Sequence, residues 1–305
     1  MDVKYRVEQY GSREEWLRRR MGGIGSSDAV ALACPDIAYE TPYSLWAKKS
    51  GLVADSEVTG SRIDWGNRLE PEVARWWSDE TGREVERRPF RILRRVDAPH
   101  LIASPDALVV GEPEGLEIKT AGSDQSEKWD DGVPLRYMVQ VQHQMMVTGW
   151  QRWHLAVLIG GNDPRRFEIQ RDDVFIAELE RACGAFWRRV LTGDPPPLEG
   201  RDPPEGDIIA ALWPAERPGS VVTLPESAVE WHLQRERASA MRKQAQALYD
   251  EATLRLTQIM GDAEASVLPD GTGYRLRTES KAAHMVKAWS GRVLRFTKHP
   301  VKGRE

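Results

Sequence analysis

The chain has 305 residues, enough for one large domain or one domain with an appendage, and its 43 basic and 47 acidic side chains leave a net charge of -4. That balance excludes a general polyanion binder, so a nucleic-acid site has to be a local patch. Two cysteines, Cys34 and Cys183, without a CxxC pair, and six scattered histidines argue against a zinc site or a disulfide framework. No apolar run approaches a membrane span and no signal peptide opens the chain, so a soluble, cytoplasmic protein is expected.

Ser12-Arg13-Glu14-Glu15 is a capping-box pattern that opens a short helix through Trp16 and Leu17. Arg18-Arg19-Arg20 then leads through Met21-Gly22-Gly23-Ile24-Gly25-Ser26-Ser27 into a helix over 28–33. Two readings stay open for this stretch. Glycine admits an anion to the backbone, a helix N-terminus favours it and arginine grips it with forked donors. Alternatively Ser27 or Asp28 caps the helix and the arginines are solvated. Residues 41–51 read as a short helix stopped by Gly51, and 62–80 as a longer one with Trp65, Leu69, Val73 and Trp76 as its buried stripe. Glu70 adjoins that stripe, as a boundary residue or an inward carboxylate. Val85 and the Phe90–Leu93 run suggest one or two strands.

Next come Ser104-Pro105-Asp106 with the apolar run Ala107–Val110, a turn holding Gly111, Pro113 and Gly115, and Leu116-Glu117-Ile118-Lys119. This reads as a hairpin of buried strands. Alternation puts Glu117 and Lys119 on one face and Ile118 on the other, and the hairpin can bring Asp106 beside them. Two converging carboxylates are costly unless neutralised, and a hard divalent cation such as Mg does that with oxygen ligands. A neighbouring lysine can orient metal-bound water, or take its proton if its pKa is depressed. The same pattern also fits surface charges on an ordinary hairpin.

Residues 135–149 read as a helix with Tyr137, Val141 and Met145 on one face and Gln140, Gln142 and Gln144 along it. Strands over 153–159 and 165–170 follow, then a helix over 172–191. Seven prolines between 194 and 218 mark a linker or wrapping segment with a short helix at 207–213. A long helix over 226–260 has a thin apolar stripe suited to docking on another surface, such as a second subunit. A hairpin over 265–277 precedes a basic tail (Lys281, Lys287, Arg292, Arg295, Lys298, Lys302, Arg304) that either binds DNA or is a solvated end.

Six blocks in order carry a resemblance: Trp16-Leu17 with Arg20, Gly22–Ser27, Trp65-Gly66 with Glu70, Ser104-Pro105-Asp106, Leu116–Lys119 and Tyr137–Gln142. Together they resemble the YqaJ-like viral recombinase family, the lambda-exonuclease type within the PD-(D/E)xK nuclease superfamily. The resemblance implies an α/β (α+β) fold: a restriction-endonuclease-like core with a mixed central β-sheet flanked by helices. With it, residues 1–193 are expected to form the nuclease core, 194–219 a Pro-rich linker, and 220–305 a helical and hairpin extension. It further implies Asp106, Glu117 and the Ile118 carbonyl as metal ligands, Glu70 near the metals, Lys119 acting on the attacking water, and Gln142 completing the site. Arg20, Ser27 and Ser104 would hold the 5′-phosphate of a DNA end. The implied activity is a Mg- or Mn-dependent deoxyribonuclease using two ions, a 5′→3′ exonuclease on linear double-stranded DNA that leaves 3′ single-stranded overhangs for phage-type recombination. A single-strand annealing protein and a homotrimer are the implied partners, and a phage or prophage gene in a bacterial host the implied source. A sequence- or structure-specific endonuclease and a non-catalytic DNA-end binder are the rival readings.

Overall fold

The computed structural model describes residues 4–54, 60–202 and 204–278, and the chain divides into two compact units, Met1–Pro214 and Ala215–Glu305. In the first unit, β1 (Tyr5–Gln9) precedes α1 (Arg13–Arg20), α2 (Ser26–Ala33), α3 (Pro42–Lys49) and α4 (Ser61–Thr81). Then come β2 (Val85–Glu86), β3 (Arg91–Arg95), β4 (Ile102–Ala103), β5 (Ala107–Val109) and β6 (Glu114–Ala121). α5 (Leu135–Thr148), β7 (Arg152–Ile159), β8 (Asp163–Gln170), α6 (Asp173–Thr192) and α7 (Glu205–Leu212) complete it.

The central sheet has five strands in the order β2-β5-β6-β7-β8, and a smaller one has the order β1-β3-β4. Among the paired strands of these two sheets in the described residues, only β6 and β7 run parallel. A parallel pair needs a crossover, and α5 supplies it. Because β7 lies inside a sheet covered on both faces, its run Trp153–Val157 is buried without alternation. On one face of the sheet, Leu116, Ile118 and Ala156 pack with Val73, Ala74 and Trp77 of α4. On the other, α2, α3, α5 and α6 enclose the larger core with Leu155 and Val157. Alternation along β6 therefore turns Glu117 away from α4 and towards α5.

The buried stripe of α4 differs from the expected one. Trp65 is 61% exposed, whereas Trp77 is 1% exposed. The helix has rotated so that its small residues meet the sheet: a Cβ on Gly66 would come within 3.2 Å of Thr120 Oγ1. Gly66 and Ala74 allow that approach, and Trp77 packs beside them against the sheet. The rotation carries Glu70, one turn from Gly66, towards the carboxylates of the hairpin.

Residues 194–214, expected to be linker, are part of the first unit. The buried Glu205 carboxylate accepts the backbone N–H groups of Glu199, Gly200 and Arg201 at 3.0, 2.8 and 3.2 Å. Arg201 donates to the Pro35 and Ala38 carbonyls at 2.7 and 2.8 Å, and Ile208 enters the core. These hydrogen bonds tie the strap down.

In the second unit, α8 (Ala228–Met260) has no buried residue, and β9 (Ala265–Val267) pairs antiparallel with β10 (Gly273–Arg275). The basic-tail positions lie outside the described residues. Both cysteines are free, and no helix among the described residues is long and apolar enough to cross a membrane.

Candidate active site

The β5–β6 hairpin brings three charged groups together. Asp106 stands just before β5, and its Oδ2 accepts the Ile118 backbone N–H at 2.7 Å. Glu117 is buried; its Oε1 accepts Lys119 Nζ at 2.5 Å and its Oε2 accepts Gln144 Nε2 at 2.6 Å. Lys119 Nζ also lies 5.5 Å from the centre of the Tyr137 ring. Glu70 is held by Arg87 at 2.5 Å.

The electrostatics follow from this crowding. Burial and then the charge of Glu117, with a smaller push from Glu70, raise the Asp106 carboxyl well above its ordinary range. Lys119 moves in the direction that keeps its proton: burial acts against the ammonium, but Glu117 and Asp106 outweigh it. In this arrangement Lys119 is a cation that donates hydrogen bonds. Two carboxylates share one ammonium, with a third carboxylate nearby, so the site has more negative than positive charge.

Its donors are hard oxygens. Among the described residues no three His, Cys, Asp or Glu side chains form a ready-made metal cage. What the site offers is Asp106 and Ile118 on a cavity of about 970 Å³ that Glu70 and Lys119 also line, with the buried Glu117 carboxylate bonded to Lys119. That set fits a hard divalent cation that keeps several waters, because such an ion tolerates few protein ligands and prefers oxygen.

The 22–27 loop forms a second feature. Gly25 is the N-cap of α2, and Asp28 at the third helical position folds back to accept the Gly25 N–H at 2.8 Å. Asp28 also pairs with Lys49 Nζ at 2.7 Å; burial opposes its charge, yet Lys49 and Arg20 hold its carboxyl below the ordinary value. Since Asp28 closes the cap, exposed Ser27 is free to face Arg20, whose Nη2 donates to Ser27 Oγ at 3.3 Å. The Arg20 guanidinium lies 4.6 Å from the Trp16 ring, which limits its freedom. A Cβ on Gly23 would come within 2.9 Å of Ile102, so glycine lets the loop lie against β4. There Ile24 and Leu101 form a parallel bridge. Three residues on from it, in the same direction, stand Ser27 and Ser104. The loop thus brings Arg20 to Ser27, while Ser104 stands just past β4.

A cavity of about 770 Å³ runs from Ser27 and Asp28 and shares Tyr39, Arg62, Ile63, Arg136 and Tyr137 with the acid-lined cavity. The two cavities therefore adjoin across these side chains. Of the expected residues, Ser27, Glu70, Asp106, Ile118 and Lys119 line these cavities, whereas Arg20, Ser104, Glu117 and Gln142 do not. Gln142 points away from the acids: its Nε2 donates to the Gln170 carbonyl at 2.8 Å and its Oε1 accepts the Asp172 N–H at 3.0 Å. Gln144 is the glutamine that reaches Glu117. Residues two apart on a helix point about 200° apart, whereas Tyr137 and Gln144, seven apart, share a face. That spacing was the available signal.

Residues 15–151 match the model of the YqaJ-like viral recombinase domain. The uncharacterized protein YqaJ of Bacillus subtilis (strain 168) is 39% identical over 193 residues, 62% of this chain and 60% of that protein. The chain thus spans less than two thirds of that relative's length. Among solved structures, the alkaline exonuclease LHK-Exo from Laribacter hongkongensis is similar at 25% identity and a TM-score of 0.51, covering 59% of this chain and 94% of that one. The same protein in complex with dAMP gives the same figures.

Proposed function

We propose that this chain, which carries a YqaJ-like viral recombinase domain over residues 15–151, is a metal-dependent exodeoxyribonuclease acting 5′→3′ on linear duplex DNA. The observation that supports it best is that the cavity at Ser27 adjoins the one lined by Asp106 and Lys119, with five lining residues in common. A phosphate dianion fits a forked cation beside hydroxyls, and a phosphodiester fits a site where cation-hungry carboxylates meet an ammonium. The similarity to an alkaline exonuclease supports the same reading, and dAMP, bound by that neighbour, is the class of product expected here.

Asp106, Glu117 and the Ile118 carbonyl would hold Mg or Mn, one or two ions, which supplies charge stabilisation for attacking and leaving oxygens. The protein's part is positioning. The Ile118 N–H fixes Asp106, and Gln144 and Lys119 fix Glu117. Lys119, kept protonated, orients the water and donates to developing negative charge. Gln144 takes the role that the resemblance assigned to Gln142. Arg20, Ser27 and Ser104 register the 5′ end. A 3′ overhang, a single-strand annealing partner and a homotrimer belong to the same proposal.

The test gives purified protein three duplexes with Mg: linear with 5′-phosphates, linear with 5′-hydroxyls, and covalently closed circular. Fast loss of the first, slow loss of the second and survival of the third are expected. Cutting of the circle would point to an endonuclease. Retardation of linear DNA in a gel without digestion would point to an end binder.

A further inference from the structure

Arg18, Arg19 and Arg20 close α1, and successive helical residues fan out by about 100°. Arg20 turns to Ser27, whereas Arg18 and Arg19 line another cavity of about 690 Å³. That cavity shares no lining residue with either of the two adjoining cavities. Arg6 and Arg94 also line it, so four guanidiniums face one carboxylate, Glu8. Arg94 is fully engaged. It grips Glu8 at 2.9 and 3.2 Å and donates to the Gly22 and Pro99 carbonyls at 3.2 and 2.7 Å. Arg6 shares Glu8 at 2.8 Å. Arg18 and Arg19 have no carboxylate partner among the described residues; Arg19 lies 5.8 Å from the Tyr10 ring. A chain with net charge -4 thus concentrates unneutralised positive charge in one recess.

The recess also has a flat aromatic wall. His100 and Trp187 are stacked, with ring centroids 5.9 Å apart and planes 13° apart, and both line the cavity. Free guanidiniums beside a fixed aromatic pair offer a phosphate its counter-charge and a base its stacking partner. Duplex bases are already stacked on one another, so the wall selects unpaired ones. We propose that this recess is a second nucleic-acid site, which holds single-stranded DNA with phosphates on Arg18 and Arg19 and a base against the His100–Trp187 pair. It rests on the nuclease reading for its occupant, the strand that digestion leaves behind.

The test uses the full chain in EDTA, which stops hydrolysis, and a fluorescent 12-nucleotide oligo(dT) read by anisotropy. Arg18→Glu/Arg19→Glu should weaken binding at least about tenfold and flatten the dependence of log K on log salt by about 1.4, two phosphates at about 0.7 each. Arg75→Glu/Arg181→Glu changes net charge equally at exposed arginines elsewhere, and should weaken binding less than about twofold, since long-range effects are screened. Equal weakening by both pairs overturns the proposal. An oligonucleotide carrying 5-iododeoxyuridine should photocrosslink to the peptide containing His100 or Trp187; adducts confined to other peptides also overturn it. Trp187→Phe should retain binding and Trp187→Leu lose it, with thermal melting confirming that each is folded. Displacement of the oligonucleotide by dAMP at equal affinity would make this a mononucleotide site and overturn the assignment to a strand. Digestion of linear duplex with indifferent Arg18 and Arg19 sinks this inference alone. Arginine-dependent strand binding without digestion of any duplex sinks the nuclease reading alone.

Discussion

The two ends of β6 carry buried charge in opposite conditions. At its start, Glu114 is 7% exposed and amply neutralised. His154 Nε2 lies 2.7 Å from its Oε2, Arg83 bonds the same oxygen, and Arg152 lies 3.5 Å from Oε1. Burial opposes the Glu114 charge, but His154 and Arg83 outweigh it and hold the carboxyl below its ordinary value. Three residues on, Glu117 and Asp106 have one ammonium between them, and the Asp106 carboxyl is driven up. The first cluster is complete without anything from outside. The second is left short of positive charge, which a stability-driven network would not retain. Buried charge marks a candidate site when the surrounding protein leaves it undercompensated.

Substitution at the two ends should therefore have opposite consequences. The largest expected effect is on turnover: Lys119→Ala should lower kcat about 10³-fold with affinity changed far less, as measured under single-turnover conditions. Asp106→Asn should remove cleavage to a similar degree while raising the thermal midpoint, because the amide keeps an acceptor for the Ile118 N–H and removes a crowded charge. A gain of about 1 kcal/mol is the scale expected. Wild-type turnover in Asp106→Asn would remove that carboxylate from the mechanism.

At the other end, Glu114→Gln should cost about 3 kcal/mol, since it leaves a buried cation and imidazole without their counter-charge. Cleavage at a temperature where the variant is folded should change less than about twofold. The pH dependence follows from the direction of the shift. Glu114 has a lowered folded pKa, so its contribution is present above the unfolded value of 4.5 and is lost as pH falls through the folded value. Urea titrations between pH 6 and 3 should show that acid-dependent loss in wild type and less of it in Glu114→Gln. A smaller contrast lies on α5. Gln144→Leu should reduce kcat about tenfold by releasing Glu117 Oε2, whereas Gln142→Leu should change stability and leave turnover intact. The reverse outcome would restore Gln142 to the site.

The hairpin was readable because strand alternation is rigid: Glu117 and Lys119 must share a face, and only a turn separates them from Asp106. The crossover helix and its two strands were readable for the same reason, as long runs of one period. Facing was harder to read on helices. Trp65 outweighed Gly66 in the expected stripe of α4, yet close approach to the sheet selected the small residue. Gln142 and Gln144 differ only in azimuth, which depends on how α5 sits over β6. Whether the proline-rich segment links or wraps was left open, because its attachment is by backbone groups to Glu205 and by Arg201 to carbonyls far away in sequence. Those partners have no local signature.

The parallel pairing of β6 with β7 has a consequence for how the protein breathes. Strands inside a covered sheet exchange their amide hydrogens only through large openings, whereas surface segments exchange through small ones. Ile118, whose amide bonds Asp106, lies in such a strand, with β5 and β7 on either side. The 22–27 loop is fastened by the isolated Ile24–Leu101 bridge and by Arg94, which donates to the Gly22 carbonyl. Native-state exchange should therefore separate the two segments by protection factor. The Arg20–Ser27 segment would then loosen and reseat many times while the acids stay in register.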